Sequence, residues 1–475
     1  MKKTVRNAVL AAMVLTTVCG GAQMAWAADV LSNVKGAGTY LDDTAALGKD
    51  AVITATGSQN KNINITGEND TTFSVLAYVG GQITLGDQNT QNVNISTTGT
   101  NAYGLMAMHE NVVPGGVGKG SHITVYGDTL NINVHGTEYA IGMQAQNNSW
   151  SPNKATIDIN TKNTVINAST DEDHVDAGGE HTAIGIVAYS GSTVNIKNNL
   201  TVNAATSIST RGKSNVIINK DGKGTVKLNG DISFDYDDKT SGTVIDSNLN
   251  INLANADSYL NGNIVKHGDA PEAKAGVSGM ALALSNGATW TSTEDSFVNN
   301  LTLKNGGTVN LAGDAQTVDV LTKMSSDNGV VATNSLGNKV KVEEKANHIK
   351  SLTVKGSGAM ADAIAKDPSV ANKLANVVTD ASGKSAATNV TTDEGEVAGA
   401  YSGTVDANGN LSGSLAKNTT NENISGLGVI SLMTWRQENN DLNKRLGELR
   451  DSKGQYGLWT RMSRGEAKYN DLGIK

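Results

Sequence analysis

Three features of the sequence hold residue types from which sites are made. The stretch "DEDHVD" gathers Asp171, Asp173 and Asp176, carboxylates of the kind that ligate Ca²⁺. It lacks the loop glycine and the bidentate glutamate of an ordered calcium loop, so it reads as a solvated acidic loop. "GGVGKGS", from residue 115, is rich in glycine. It has neither the full spacing of a phosphate-binding loop nor a helix after it, and reads as an insertion. The seven His show no ligand spacing such as a helical His-Glu-x-x-His, and no Gly-Asp-Ser-Gly nucleophile signature occurs. Acidic and basic residues do lie on neighbouring phrases, but a site made by facing strands depends on a register that one sequence does not supply. No metal and no cofactor is expected.

The elements that must position such residues begin after an address label. Lys2, Lys3 and Arg6 precede an apolar run from Ala8 to Val18, and Ala25-Trp26-Ala27 puts small residues where a signal peptidase reads. Residues 1–27 therefore read as a signal peptide cut between Ala27 and Ala28. The run is too short to span a bilayer. Cys19, the one cysteine, falls inside this leader, so the exported chain carries no thiol and no disulfide framework. Such a chain passes a narrow pore unfolded without cross-linking. Of 475 residues, 53 are Gly, 4 are Pro and 4% are aromatic, which suits short strands and tight turns better than helical layers. A net charge of -8 with no basic stripe to neutralise phosphates disfavours nucleic acid, and none is expected as a partner.

From about residue 50 a short phrase recurs: "NINITG" at 62, "NVNIST" at 92, "NINVHG" at 131, "ATIDIN" at 155, "TVNIKN" at 193, "NINLAN" at 250 and "TVNLAG" at 308. Aliphatic residues stand two apart with Asn, Thr or Asp between them, the period of a strand with one buried face. A second phrase runs out of step with it and places Ala77, Ala107, Ala145 and Ala188 at intervals of 30 to 43 residues. Two coils of about 20 residues per repeat would give an all-β fold, a parallel β-solenoid of roughly 14 coils on the order of 65 Å long. Outward Asn and Thr would stack into ladders. A propeller or a set of sandwiches is the rival architecture.

After about residue 280 the chain still reads as coils, with Trp290 and Phe297 adding bulk. Within 356–423, "ADAIAKDPSVANKLANVV" reads as short helices broken at Asp367-Pro368, and "AGAYSGTVDANGNLSGSLA" as a hairpin turning at Asp406 to Gly409. Residues 424–451 then take a helical period, with Trp435, Leu442, Leu446 and Leu449 on one face. About 27 residues make roughly 40 Å of helix, too charged to face lipid but suited to a polar lumen. From 452 to 475, "QYGLWTRMS" alternates as a barrel strand would, with Tyr456, Leu458 and Trp459 at its entry.

The segment "LNKRLGELRDSKGQYGLWTRM", preceded by an exported solenoid, resembles the linker and barrel entrance of the autotransporters of type V secretion. The 281–355 coils are similar to the stable C-terminal passenger segment of pertactin-like members, and by that resemblance Trp290, Leu301, Leu303, Val309, Leu311, Val320 and Leu321 pack its nucleus. The resemblance implies a right-handed parallel β-helix over 28–280, the linker helix, and the first strand of an outer-membrane barrel that in the family has about a dozen. A single strand leaves its backbone groups unsatisfied in lipid, so the barrel is expected elsewhere, in a longer chain or a second gene. In self-cleaving members a linker Asn attacks its own main-chain carbonyl; the matching positions are Asn440-Asp441, with Asp where Asn is usual after the scissile bond.

The function implied is a passenger at the cell surface of a Gram-negative-type envelope, or released from it, acting as a non-enzymatic adhesin or interaction rod. Its partners would be the outer-membrane barrel with its assembly machinery and a host glycan or matrix protein. The alternatives are a β-helix polysaccharide lyase or hydrolase, and a cell-envelope solenoid outside the autotransporters.

Overall fold

The structure, a computed structural model, describes residues 39–42, 44–47, 52–55, 62–68, 71–78 and 80–440, apart from 110–119, 148–153, 173–174, 176–180, 235–246, 267–278, 346 and 420–426. Strand dominates these residues, and the strand phrases pair with one another in parallel. The reason is visible in one register column. Ile65, Ile95, Ile132, Ile166, Val202, Leu228, Leu260, Trp290, Val309, Val331, Val354 and Val390 are successive partners across eleven pairings. Each is buried. Identical inward positions lie one strand spacing apart, so every aliphatic side chain packs on the one below it, worth about 1.5–3 kcal/mol per buried residue.

Three strand faces make one circuit of the chain. Gln82–Leu85 lies on the first, the N-terminal part of Asn92–His109 on the second, and its C-terminal part, after a register shift between Gly99 and Asn101, on the third. His122–Val125 then lies on Gln82–Leu85, and Thr129–Asn147 repeats the long bent strand. The second face carries thirteen rungs, from Thr39–Asp42 to Asn389–Thr392. At the parallel strand spacing that stack is roughly 58 Å long. The architecture is compatible with an all-β solenoid, and one core cluster runs through it from Ile63 to Tyr401.

The expected coil of about 20 residues is too short for the N-terminal part of the stack and matches only the part from Asn286 to Ser351. Phrases that look alike fall on different faces of the stack: Ile95 of "NVNIST" lies on the second face, whereas Ile157 of "ATIDIN" lies on the first. Circuits span 26 to 37 residues up to Asn261. They shorten to between 19 and 23 residues from Asn286 to Ser351. The alanine phrase marks the third face, where Ala77, Ala107, Ala145 and Ala188 stack as partners. Gly104, Gly142 and Gly185 sit beside them, and a Cβ there would collide with Ile132, Ile166 and Val202 from the facing strands. Small residues on this face make room for branched ones on the other.

The C-terminal end is closed by different means. The helices α1 (Gly358–Lys366) and α2 (Ser369–Ala375) meet at Asp367-Pro368, as the sequence predicts, and bury Met360, Ile364, Val370 and Leu374 against the last rungs. Tyr401–Val405 and Leu411–Leu415 then form an antiparallel hairpin on Asn389–Thr392. Asp406 seeds its turn by accepting hydrogen bonds from the backbone N–H of Asn408 and Asn410, each at 2.8 Å. Of the residues expected to pack the 281–355 nucleus, six are buried; Leu321 is half-buried and packs against the core from a position between the two paired segments of its strand. A helix, α3, is described over 427–440.

Candidate functional site

Outward positions of parallel strands repeat as strictly as inward ones, and this decides what the surface offers. An asparagine side chain carries both a donor and an acceptor, so copies one strand spacing apart bond in series. On the second face Asn261 donates through Nδ2 to Asn229 Oδ1 at 3.3 Å, Asn229 to Asn203, Asn203 to Asn167 and Asn167 to Asn133, the last three each at 2.8 Å. A shorter ladder runs from Asn131 through Asn94 to Asn64, with both bonds at 2.8 Å. The donors in both point toward the N-terminal end of the stack.

At the end of the longer ladder lies a shallow groove of about 200 Å³, lined by Ser96, Thr97, Thr98, Asn133, Val134, His135, Asn167 and Ser169. Thr98, His135 and Ser169 are register partners on three consecutive rungs. His135 Nδ1 lies 3.0 Å from Ser169 Oγ, and its Nε2 lies 3.0 Å from Asp171 Oδ1. The carboxylate favours the proton on Nε2, which turns the lone pair of Nδ1 toward the serine hydroxyl. Serine, imidazole and carboxylate thus form a relay with the geometry of an activated nucleophile. It stands in the open, with His135 49% and Asp171 57% exposed.

A second polar cluster occupies the first face. Asp158 accepts from Asn195 Nδ2 at 2.7 Å and stands 2.9 Å from His122 Nε2. The His122 hydrogen bond, aided by Asn195, holds its carboxyl below the usual range. The third face differs again: Leu76, Tyr78, Met106, Ile141, Ile184 and Val187 are apolar, outward and buried. Tyr103 stacks on Phe73 with ring centroids 4.8 Å apart, and burial pushes its phenol up to about 12.

The sequence-predicted residues fare unequally. Asp171 lies beside His135 and Ser169; Asp173 and Asp176 fall outside the described residues, as do Ala25, Ala27, Ala28, Asp441, Leu442, Leu446, Leu449, Tyr456, Leu458 and Trp459. Trp435 and Asn440 are described on α3, and both are exposed, Trp435 at 59%. Among the described residues no helix is long and apolar enough to cross a membrane, and no three His, Cys, Asp or Glu gather to hold a metal. His135 and Ser169 were missed. Aligning "NINVHG" with "TVINAST" on their inward residues would have put them side by side, since Val134 pairs with Ala168. Comparison with protein-family models, curated proteins and solved structures finds no match for this chain.

Proposed function

We propose that the chain is the passenger of an autotransporter, a right-handed parallel β-helix that acts as an adhesin or interaction rod at the surface of a Gram-negative-type cell. In this reading residues 1–27 export it, and the helix about 424–451 leads into an outer-membrane barrel, its own or separately encoded. Asn440-Asp441 then marks a processing position that becomes active only inside a complete barrel. The observation that supports binding is the exposed amide ladder from Asn261 to Asn133. It repeats donors and acceptors at the strand spacing along the rod and ends in an open groove, a surface for long polar ligands. The test is adherence of cells displaying the full chain to glycan-coated and matrix-coated surfaces. Adherence equal to that of non-displaying cells on every coating would overturn the reading.

One observation favours a second reading, a hydrolase of acylated polysaccharide. Ser169 Oγ would add to an ester carbonyl while its proton passes to His135 Nδ1; the departing alkoxide would take that proton, and water would release the acid by the same path. Exposure of the relay argues against it, because preorganised charge stabilisation weakens in a water-filled site. With p-nitrophenyl acetate, the adhesin reading expects the wild-type chain and Ser169→Ala to give the same rate. Turnover lost in Ser169→Ala would establish the hydrolase.

A further inference from the structure

The long asparagine ladder has a direction and an end. Four amides donate in series toward Asn133, whose Oδ1 is occupied by Asn167. Its own Nδ2 has no partner among the described residues, because the next rung offers Ser96 at the partner position in place of another asparagine. Hydrogen bonds in series polarise one another, so the terminal N–H is a better donor than a lone surface amide. That donor lines the groove together with Ser96, Thr98 and Ser169.

The charge around the groove selects what the donor takes. Asp171 stands against His135, Glu172 follows it, and Glu68 lies in the register row of Thr98 and His135. With a chain charge of -8, an anionic acceptor is repelled. The acceptor that fits is a neutral carbonyl oxygen. At about 200 Å³ the groove is smaller than the roughly 300 Å³ at which pockets enclosing whole ligands begin, so it seats one unit of a longer chain. Its lining is hydroxyl, amide and the His135 imidazole, and Val134, its one aliphatic member, points into the core. Beyond the threonine methyls it offers a peptide side chain no aliphatic group, whereas a sugar ring finds hydrogen-bond partners on three rungs.

We propose that this groove is a subsite for the N-acetyl group of a neutral, N-acetylhexosamine-containing glycan, with Asn133 Nδ2 donating to the acetamide carbonyl and the hydroxyls of Ser96, Thr98 and Ser169 meeting the ring hydroxyls. The inference rests on the adhesin reading and names the ligand class for it. The test measures binding of the full chain to chitotriose and to cellotriose, which carries hydroxyls in place of the acetamides. Chitotriose is expected to bind at least tenfold more tightly. Asn133→Ala is expected to lose about tenfold, Asn203→Ala, two rungs up the ladder, two- to threefold, and Asn310→Ala, outside the ladder, nothing. All three substitutions are at solvent-facing positions, and unchanged circular dichroism checks the fold. Equal affinity for the two trisaccharides, or unaltered binding by Asn133→Ala, overturns the subsite. A neutral N-acetylated tripeptide amide binding as well as chitotriose overturns the glycan assignment. Cells that adhere to other coatings while chitotriose fails to bind sink the subsite alone; failure to adhere anywhere sinks the adhesin reading with it.

Discussion

Along the second face, outward positions partnered from Asn133 to Asn261 are all asparagine, whereas the same column continues as Thr291, Asn310, Ala332, Lys355 and Thr391. The inward column does not change at that point, except that it admits Trp290, whose Nε1 donates to Gly262 O at 3.0 Å. Phe297 meets Phe234 edge-on nearby, with ring centroids 6.3 Å apart. Circuits shorten there as well. The difference separates two demands on one stack. Inward residues must satisfy packing everywhere, so they vary little; outward residues are free to serve contacts, and only the N-terminal part spends them on a continuous ladder. The C-terminal part instead concentrates bulk and ends in α1, α2 and an antiparallel hairpin, which cover the last rungs.

The sharpest way to break this contrast is Trp290→Ala. It opens a cavity in the region of greatest bulk and leaves the Gly262 carbonyl without its partner, so a loss of about 3–5 kcal/mol is expected in denaturant unfolding. A loss under 1 kcal/mol would mean that the bulk concentrated here adds little to the stability of the stack. Gly142→Ala probes the N-terminal part from inside: its methyl meets Ile166, and overpacking is expected to cost about 1–3 kcal/mol. Asn203→Ala interrupts the ladder in mid-course. Because the site is exposed and water replaces the amides, about 1 kcal/mol is expected in the same measurement. If it matched Trp290→Ala, the ladder would be a structural device and not a contact surface.

The smallest effect is expected from pH and sits in the C-terminal cap. The Asp362 carboxylate accepts from the backbone N–H of Ala398 at 2.7 Å, and of Val397 and Glu396 each at 2.9 Å, which holds it below its ordinary value. Asp406 is held low by the Asn410 side chain and backbone. A carboxylate whose folded value is depressed contributes stability that is full above its unfolded value, about 3.9, and is lost as pH falls through the folded value. Amide exchange in the cap, residues 396–410, is therefore expected to accelerate below about pH 4, while the asparagine ladder, which has no titrating group, keeps its protection. Asp362→Ala should remove much of that acid response in 396–398; an unchanged profile would mean the carboxylate does not pin this loop.

Much of the fold was legible because it is periodic. "NINITG" and its relatives disclose one buried face by alternation alone, and Asp367-Pro368 and Asp406 to Gly409 disclose breaks and turns through backbone chemistry that needs no partner. The circuit was not legible, since alternation states which side of a strand is buried and not which face of the stack it joins. The candidate site was nearly invisible: Asp171 drew notice as an acid, but His135 and Ser169 lie 34 residues apart and gain meaning only as register partners.

By itself, then, the sequence determined that strands form, which side chains turn inward, and where the chain bends, because those follow from each residue's own geometry and from spacing of two. Only the tertiary structure decided the three-sided circuit, the joining of asparagines into a directed ladder, and the meeting of His135 with Ser169 and Asp171. Each of these depends on which rung lies on which, and that register is set by packing between residues far apart in the chain.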